Sequence, residues 1–336
     1  MPVNNFTILR LILASLVVFG HFRVLPGLPS PHIYSYADFA VDAFFVVSGY
    51  LVYGSFVNSP KIGGFYIKRF FRIYPLYFTV IITQAITMFY LLGGDVTIKE
   101  TVKYLASNLV FANFLSPDMG GLLSNAHNPA INASLWTLKI EVMFYMIVPF
   151  LYWLLRKYTI TLIVAIYVLS TIFAATCQHY GMDTLAKQLP GQMRFFIMGI
   201  ALYHYQDKIQ INHKMAFITA LILFTICSLR HDLPIMFIYP ALMGFLVFIC
   251  ALRLPVFLIK YDISYGVYII HAPLIQISLL LGFFENSIGF LAALFILIYS
   301  LAFCVEKTIE IPMVKLGKKL SKQFSEKFER KKSALS

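Results

Sequence analysis

Several apolar segments of this chain carry ionisable side chains in their interiors. In TILRLILASLVVFGHF, Arg10 and His21 stand eleven residues apart. On a helix that is three turns, which puts both on one face about 16 Å apart along the axis. DFAVDAFFVVSGYLVYG carries Asp42, and SLWTLKIEVMFYMIVPF carries Lys139 and Glu141. DISYGVYIIHAPLI sets Ser264, Tyr268 and His271 at i, i+4 and i+7, one helix face, and VEKTIEIP carries Glu306 and Glu310. Ionisable groups at bilayer depth are costly, so each is a candidate for function. Histidine takes a hydroxyl proton near neutral pH, and a carboxylate can hold its tautomer and stabilise the imidazolium. His21 is therefore a candidate general base, with Asp42 and Glu141 as candidate catalytic carboxylates. Asp42 reads equally as a helix-packing hydrogen bond, and His271 reads first as a structural group satisfied within the Ser264/Tyr268 face.

A second chemistry lies in KRFFRIYPLYF, residues 68–78, where Lys68, Arg69 and Arg72 fall within five residues beside an apolar run. Such cations mark the cytoplasmic end of a membrane helix. Arg69 and Arg72, at i and i+3, also share a helix face, and paired guanidinium forks suit phosphate oxygens. A nucleotide head held there would send a flexible arm into the bundle.

The elements that must position these residues follow from composition. Of 336 residues, 60% are hydrophobic and 12% charged, with a mean hydropathy of +0.78. Soluble domains carry about 25% charged residues. Apolar runs near twenty residues recur, as membrane helices require, and the alternating pattern of an outer-membrane barrel is absent. The expected fold is an all-α polytopic membrane protein, a bundle of about ten transmembrane helices with both termini cytoplasmic. The spans fall near 6–24, 37–57, 73–92, 134–155, 159–178, 191–205, 215–230, 234–252, 262–283 and 287–309. The first segment lacks a basic start and a clear cleavage site, so it is expected to stay as helix one. The connection 93–133, rich in Asn, Gly and Ser, has room for a short interfacial helix or an acceptor-binding loop. No internal repeat is evident, which removes one support for a transporter.

The net charge of +12 is concentrated at one end: eight Lys/Arg and two Glu lie in Lys315–Lys332. This divides the chain into a membrane domain, 1–314, and a basic cytoplasmic tail, 315–336, suited to anionic lipid rather than nucleic acid. Cys177, Cys227, Cys250 and Cys304 lie in apolar segments without metal-ligand spacing, and no metal is expected. With ten spans, the inner loops hold ten Lys/Arg and the outer segments about six, the bias expected of this orientation. His21, Asp42 and Glu141 then come near the outer side, and Arg10, Arg69 and Arg72 near the inner side. A cationic inner pole and a His/carboxylate outer pole suit transfer of a group from a cytoplasmic donor to an outer acceptor.

In their order along the chain, these segments resemble the acyltransferase type 3 family of membrane enzymes. The matching elements are the R-x10-H pattern of Arg10 and His21, VDAFFVVSGYLV at 41–52, KRFFRIYPLYF at 68–78, SLWTLKIEVMFY at 134–145, ISYGVYIIH at 263–271 and EIP at 310–312. The resemblance implies a ten-helix fold in a bacterial inner membrane. It implies transfer of an acyl group, usually acetyl, from acyl-CoA as co-substrate to a sugar hydroxyl, with no permanently bound cofactor. It makes Arg10 and His21 essential, His21 the base, Arg69 and Arg72 donor-side residues and Glu141 a site carboxylate, so that Arg10, Arg69 and Arg72 are the candidate acyl-CoA-binding residues. Lys68 keeps the charge of a second family cation but lacks the fork. Ser134, Trp136, Tyr268 and His271 are candidate acceptor or oxyanion contacts. Direct attack on the thioester and an acyl-histidine intermediate both stay open. The implied partners are membrane lipid, a carbohydrate acceptor and separate envelope glycan-assembly proteins. The rival readings are a proton-coupled carrier of a glycan-related solute, which would move solute without consuming thioester, and a non-catalytic scaffold, which would tolerate His21→Ala.

Overall fold

The computed structural model describes residues 4–29, 35–91, 96–124, 126–209 and 233–333, with a few positions between 210 and 232. The elements are α1 (Phe6–Val24), α2 (Ser35–Val57), α3 (Ile62–Leu91), α4 (Ile98–Leu109), α5 (Leu135–Leu155), α6 (Thr159–His179), the single turn α7 (Asp183–Ala186), α8 (Leu189–Tyr205), α9 (Leu233–Phe248), α10 (Ser264–Leu280), α11 (Ile288–Val305) and α12 (Ile311–Ser333). A π-helical turn, Ile249–Arg253, extends α9, and another, Glu306–Glu310, joins α11 to α12. No strand occurs among the described residues. Among the described residues, seven helical stretches are long and apolar enough to cross a membrane. On α11, Ile288, Ile296, Leu297 and Phe303 face outward, as lipid-facing residues do. The chain is an all-α polytopic membrane protein.

Of the expected spans, 215–230 lies largely outside the described residues. The others each coincide with a helix, and the departures are at ends. The third is expected from residue 73, but α3 begins at Ile62, so KRFFRIYP is helical rather than a flank. Pro75 inside α3 forgoes one backbone donor, a loss that membrane helices tolerate where neighbouring helices, side chains or local backbone adjustment satisfy the freed carbonyl. The loop after α3 holds α4, started by a capping box between Thr97 and Glu100. The basic tail is helical as well, because α12 continues through residue 315 to Ser333.

The chain divides into two units: residues 1–13, 38–60 and 140–260 in the first, and 14–37, 61–139 and 261–336 in the second. In the first, α2 and α8 meet backbone to backbone. A Cβ on Gly49 would lie 2.1 Å from the Phe196 carbonyl oxygen, and one on Gly199 would lie 2.0 Å from that of Val46. The Ser48-Gly49 step thus permits the close packing its sequence promises. Phe196 stacks on Phe144 at 4.0 Å between centroids. Asn5 ties the N-terminal turn down: its Nδ2 faces the carbonyls of Cys250, Leu254 and Pro255 at 3.0–3.3 Å, and its Oδ1 accepts from Phe257 N at 2.8 Å.

In the second unit, α12 packs along the start of α3. Phe324 covers Gly63, Phe71 covers Gly317, and Ser321 Oγ donates to the Gly64 carbonyl at 2.9 Å. Small residues let the two helices approach, so this part of the tail is a docked helix and not only a charged extension. Gly266 of α10 lies against Ala302 of α11.

Candidate active site

The second unit brings His21, Ser134, Tyr268 and His271 together, and α10 organises them. Pro273 within α10 has no N–H, so the Ile269 carbonyl lacks its helical donor. Asn132 Nδ2 donates to that carbonyl at 3.0 Å, while Asn132 Oδ1 accepts from Ser134 N at 3.1 Å. Gln276 Nε2 donates to the carbonyls of Asn128 and Ala130, both at 3.0 Å. The stretch of loop before α5 is thereby stitched onto α10, and Ser134 is held immediately before α5. The Thr137 hydroxyl gives its one proton to the Ser134 carbonyl at 2.9 Å. The Tyr268 hydroxyl must then be the donor to Thr137 Oγ1, at 2.5 Å.

His271 is 0% exposed, whereas His21 is half-buried. His271 Nδ1 lies 3.1 Å from the Val267 carbonyl oxygen, one turn back on α10. Its Nε2 lies 2.8 Å from Nδ1 of His21 on α1. The two rings are 5.0 Å apart between centroids and 29° from parallel. Ser134 Oγ stands 3.5 Å from the same Nε2. His271 is therefore not satisfied by Ser264 and Tyr268, as its helix face leads one to expect. A shared face sets proximity, not bonding: Ser264 Oγ donates instead to Asp262 at 2.6 Å, and Tyr268 to Thr137. Trp136 is half-buried on the first turn of α5.

The expected donor-side residues divide. Arg72 NH2 meets Asp262 Oδ2 and Arg72 NH1 meets Glu310 Oε2, each at 3.0 Å. Glu310 and Glu306 are both buried, carried by the π-helical turn between α11 and α12. Arg69, three residues earlier on α3, lies over the Phe65 ring at 5.5 Å from its centroid. The sequence does not reveal Asp262 and Glu310 as partners of Arg72. A cation with two acidic residues far along the chain is the available signal, but spacing alone does not pair them.

The first unit holds the remaining expected residues. Arg10 Nε donates to the Phe6 carbonyl at 3.4 Å. Glu141 Oε1 accepts from Ser48 Oγ at 2.7 Å and from Tyr145 OH at 2.6 Å. Asp42 Oδ2 accepts from Tyr239 OH at 3.2 Å, and Arg194 supplies a nearby positive charge. Tyr145 is one turn after Glu141, a spacing that brings side chains together on a helix.

Fold and composition define a polytopic helical membrane protein, and its inward-facing polar groups are hydroxyls, imidazoles and paired charges. Residues 3–306 match the model of an acyltransferase domain family, and the chain belongs to that family, the type 3 acyltransferases. It is 25% identical over 303 residues to an O-acetyl transferase of Shigella phage Sf6, covering 85% of this chain and 89% of that one. It is 26% identical over 315 residues to nodulation protein 10 of Rhizobium leguminosarum bv. viciae, covering 83% and 84%. A shorter match, 25% identical over 126 residues, links 38% of this chain to 31% of acyltransferase MdmB of Streptomyces mycarofaciens. No solved structure matches the chain.

Proposed function

We propose that this protein is a membrane O-acyltransferase that moves an acyl group, acetyl by preference, from cytoplasmic acyl-CoA to a sugar hydroxyl of an envelope or exported glycan. The observation that carries this reading is the contact between half-buried His21 and buried His271, with the Ser134 hydroxyl beside it. The family supplies the reaction class, and the relative from Shigella phage Sf6 bears the name of an O-acetyl transferase.

In this reading His21 Nε2 takes the proton of the acceptor hydroxyl, and the oxygen attacks the thioester carbonyl carbon. The carbon–sulfur bond breaks, and the departing CoA thiolate takes the proton back from the imidazolium. An ester and a free thiol result, and no other reactant is needed. The oxyanion formed on the way requires a hydrogen-bond donor, for which Ser134 and Trp136 are the candidates, since the one proton of the Tyr268 hydroxyl is given to Thr137. Arg10 and Arg69 are assigned to the acyl-CoA phosphates. Arg72 gives both terminal nitrogens to carboxylates, so its part is to hold α3 in place. Asp42 and Glu141 are kept as site carboxylates. The setting is a bacterial inner membrane, where a multi-pass protein can meet CoA on one side and a glycan on the other.

The test is acetyl-CoA binding by the purified protein in detergent, followed by transfer of labelled acetyl to a polysaccharide and to a lipid-linked sugar pool. Wild type should bind acetyl-CoA, and Arg69→Ala should bind it at least ~10-fold more weakly. His21→Ala should bind normally and lose about 10²–10⁴-fold in transfer. A well-folded wild type that binds neither acetyl-CoA nor CoA would sink the assignment.

A further inference from the structure

From the proton positions that the His21–His271 contact demands, we infer that His271 is the positioning residue that fixes the tautomer of His21, a task a carboxylate commonly performs. A carbonyl oxygen only accepts hydrogen bonds. The Val267 carbonyl, 3.1 Å from His271 Nδ1, therefore requires a proton on that nitrogen. In a neutral ring the second nitrogen is then bare, so His271 Nε2 is an acceptor. Its partner at 2.8 Å, His21 Nδ1, must be the donor. With the proton on Nδ1, the basic lone pair of His21 is on Nε2. The tautomer at the reactive ring is thus dictated by one backbone carbonyl of α10, relayed through a buried imidazole.

Burial separates the two roles. His271 has no exposed surface and does not meet a substrate, whereas His21 is half-buried. The Asn132 and Gln276 bonds that brace α10 hold His271 in turn. When His21 accepts a proton at Nε2, its Nδ1–H still points to His271 Nε2. The added charge can then be shared across that 2.8 Å contact, because His271 keeps a carbonyl partner at Nδ1. In catalysis this inference rests on the acyl-transfer reading, but the tautomer itself does not.

Two substitutions separate the ring's two contacts. His271→Gln places an amide oxygen where Nε2 was, so it can still accept from His21. His271→Asn retains a donor toward the Val267 carbonyl and loses the acceptor toward His21. The experiment is nitrogen NMR of the full chain, ¹⁵N-labelled at histidine, in lipid nanodiscs, with His21 assigned by its loss in His21→Ala. The same preparations are assayed for acetyl-CoA consumption with a glycan pool present. Wild type and His271→Gln should show His21 protonated at Nδ1. In His271→Asn the ring should move toward the Nε2–H form that an imidazole favours in water. Its kcat should fall about 10²-fold with an unchanged KM for acetyl-CoA, and His271→Gln should stay within ~10-fold of wild type. An Nε2–H tautomer in wild type, or a His21 tautomer indifferent to His271→Asn, overturns the inference. So does a His271→Asn protein that loses the tautomer but turns over normally. If the tautomers behave as expected and no preparation consumes acetyl-CoA, the positioning role stands and the acyl-transfer reading falls.

Discussion

The His21–His271 pair and the Arg72–Asp262–Glu310 cluster occur in the same unit, and both join side chains that are distant in sequence. Their hydrogen-bond inventories differ. At Arg72, two donors meet two carboxylates at 3.0 Å, and the second oxygen of Asp262 accepts from Ser264. That is a set of short polar contacts, which ties α3 to the segment before α10 and to the π-helical turn after α11. At His21, both partners are imidazoles, and on the inference above one proton between the rings fixes where a lone pair must be. The first cluster closes on itself, and the second, in the proposed reading, leaves a base. An ionisable residue at membrane depth is thus not by itself a mark of chemistry; what distinguishes the two cases is whether the partners consume the group's capacity or direct it.

The largest effect should come from breaking the lock. Arg72→Ala leaves buried Glu310 without its cation, and removing one partner of a buried pair costs about 3–5 kcal/mol. Arg72 is itself a quarter exposed, so the low end of that range is expected. Unfolding in a mixed-detergent series, read by helix content, would measure it. Arg72→Met combined with Glu310→Gln removes both charges and should recover most of the loss. If that double variant is stable yet cannot bind acetyl-CoA, Arg72 has a donor role beyond the lock, and the contrast between the clusters narrows. If Arg72→Ala is as stable as wild type, the lock is not one.

A smaller effect is expected at Glu141, where two hydroxyl donors converge on one carboxylate oxygen. Glu141→Gln keeps an acceptor there and should cost no more than about 1 kcal/mol, whereas Glu141→Leu leaves the Ser48 and Tyr145 hydroxyls without it and should cost about 1–3 kcal/mol. Acyl transfer measured beside stability sharpens the comparison. A Gln variant that is stable and inactive places Glu141 with His21, whereas a stable and active one places it with Arg72.

Most of the helices are legible in the sequence, because a bilayer demands a long apolar run of every span. The ends are harder. Nothing in KRFFRIYP marks Ile62 as the start of α3, because that start is fixed by packing of Gly63 and Gly64 against Phe324 and Ser321, more than 250 residues away. His21 stands out as a candidate through its type and depth. Its contact with His271 does not, since periodicity assigns His271 to a face of α10 and says nothing of which helix that face meets. Asn132 shows the same limit: its value lies in replacing the donor missing at Pro273, a need visible in sequence whose remedy is not.

The smallest expected effect lies away from both clusters, at the start of α4, and separates acid effects on the fold from acid effects on the histidines. The Thr97 backbone N–H and then its hydroxyl donate to Glu100, and these bonds hold the carboxyl below its ordinary pKa of 4.5. A folded-state pKa below the unfolded one means the capping box stabilises α4 in full above the ordinary value. That contribution fades as pH falls through the lowered one. Glu100→Gln should therefore unfold slightly more easily than wild type near neutral pH, and the two should converge in acid. Glu100 caps a helix that carries none of the proposed site residues, so acyl transfer by Glu100→Gln should keep the wild-type pH profile between about pH 5 and 8, where an ordinary imidazole changes charge. A changed profile would tie α4 to the chemistry and show that the histidine pair is not insulated from the charges on the loop.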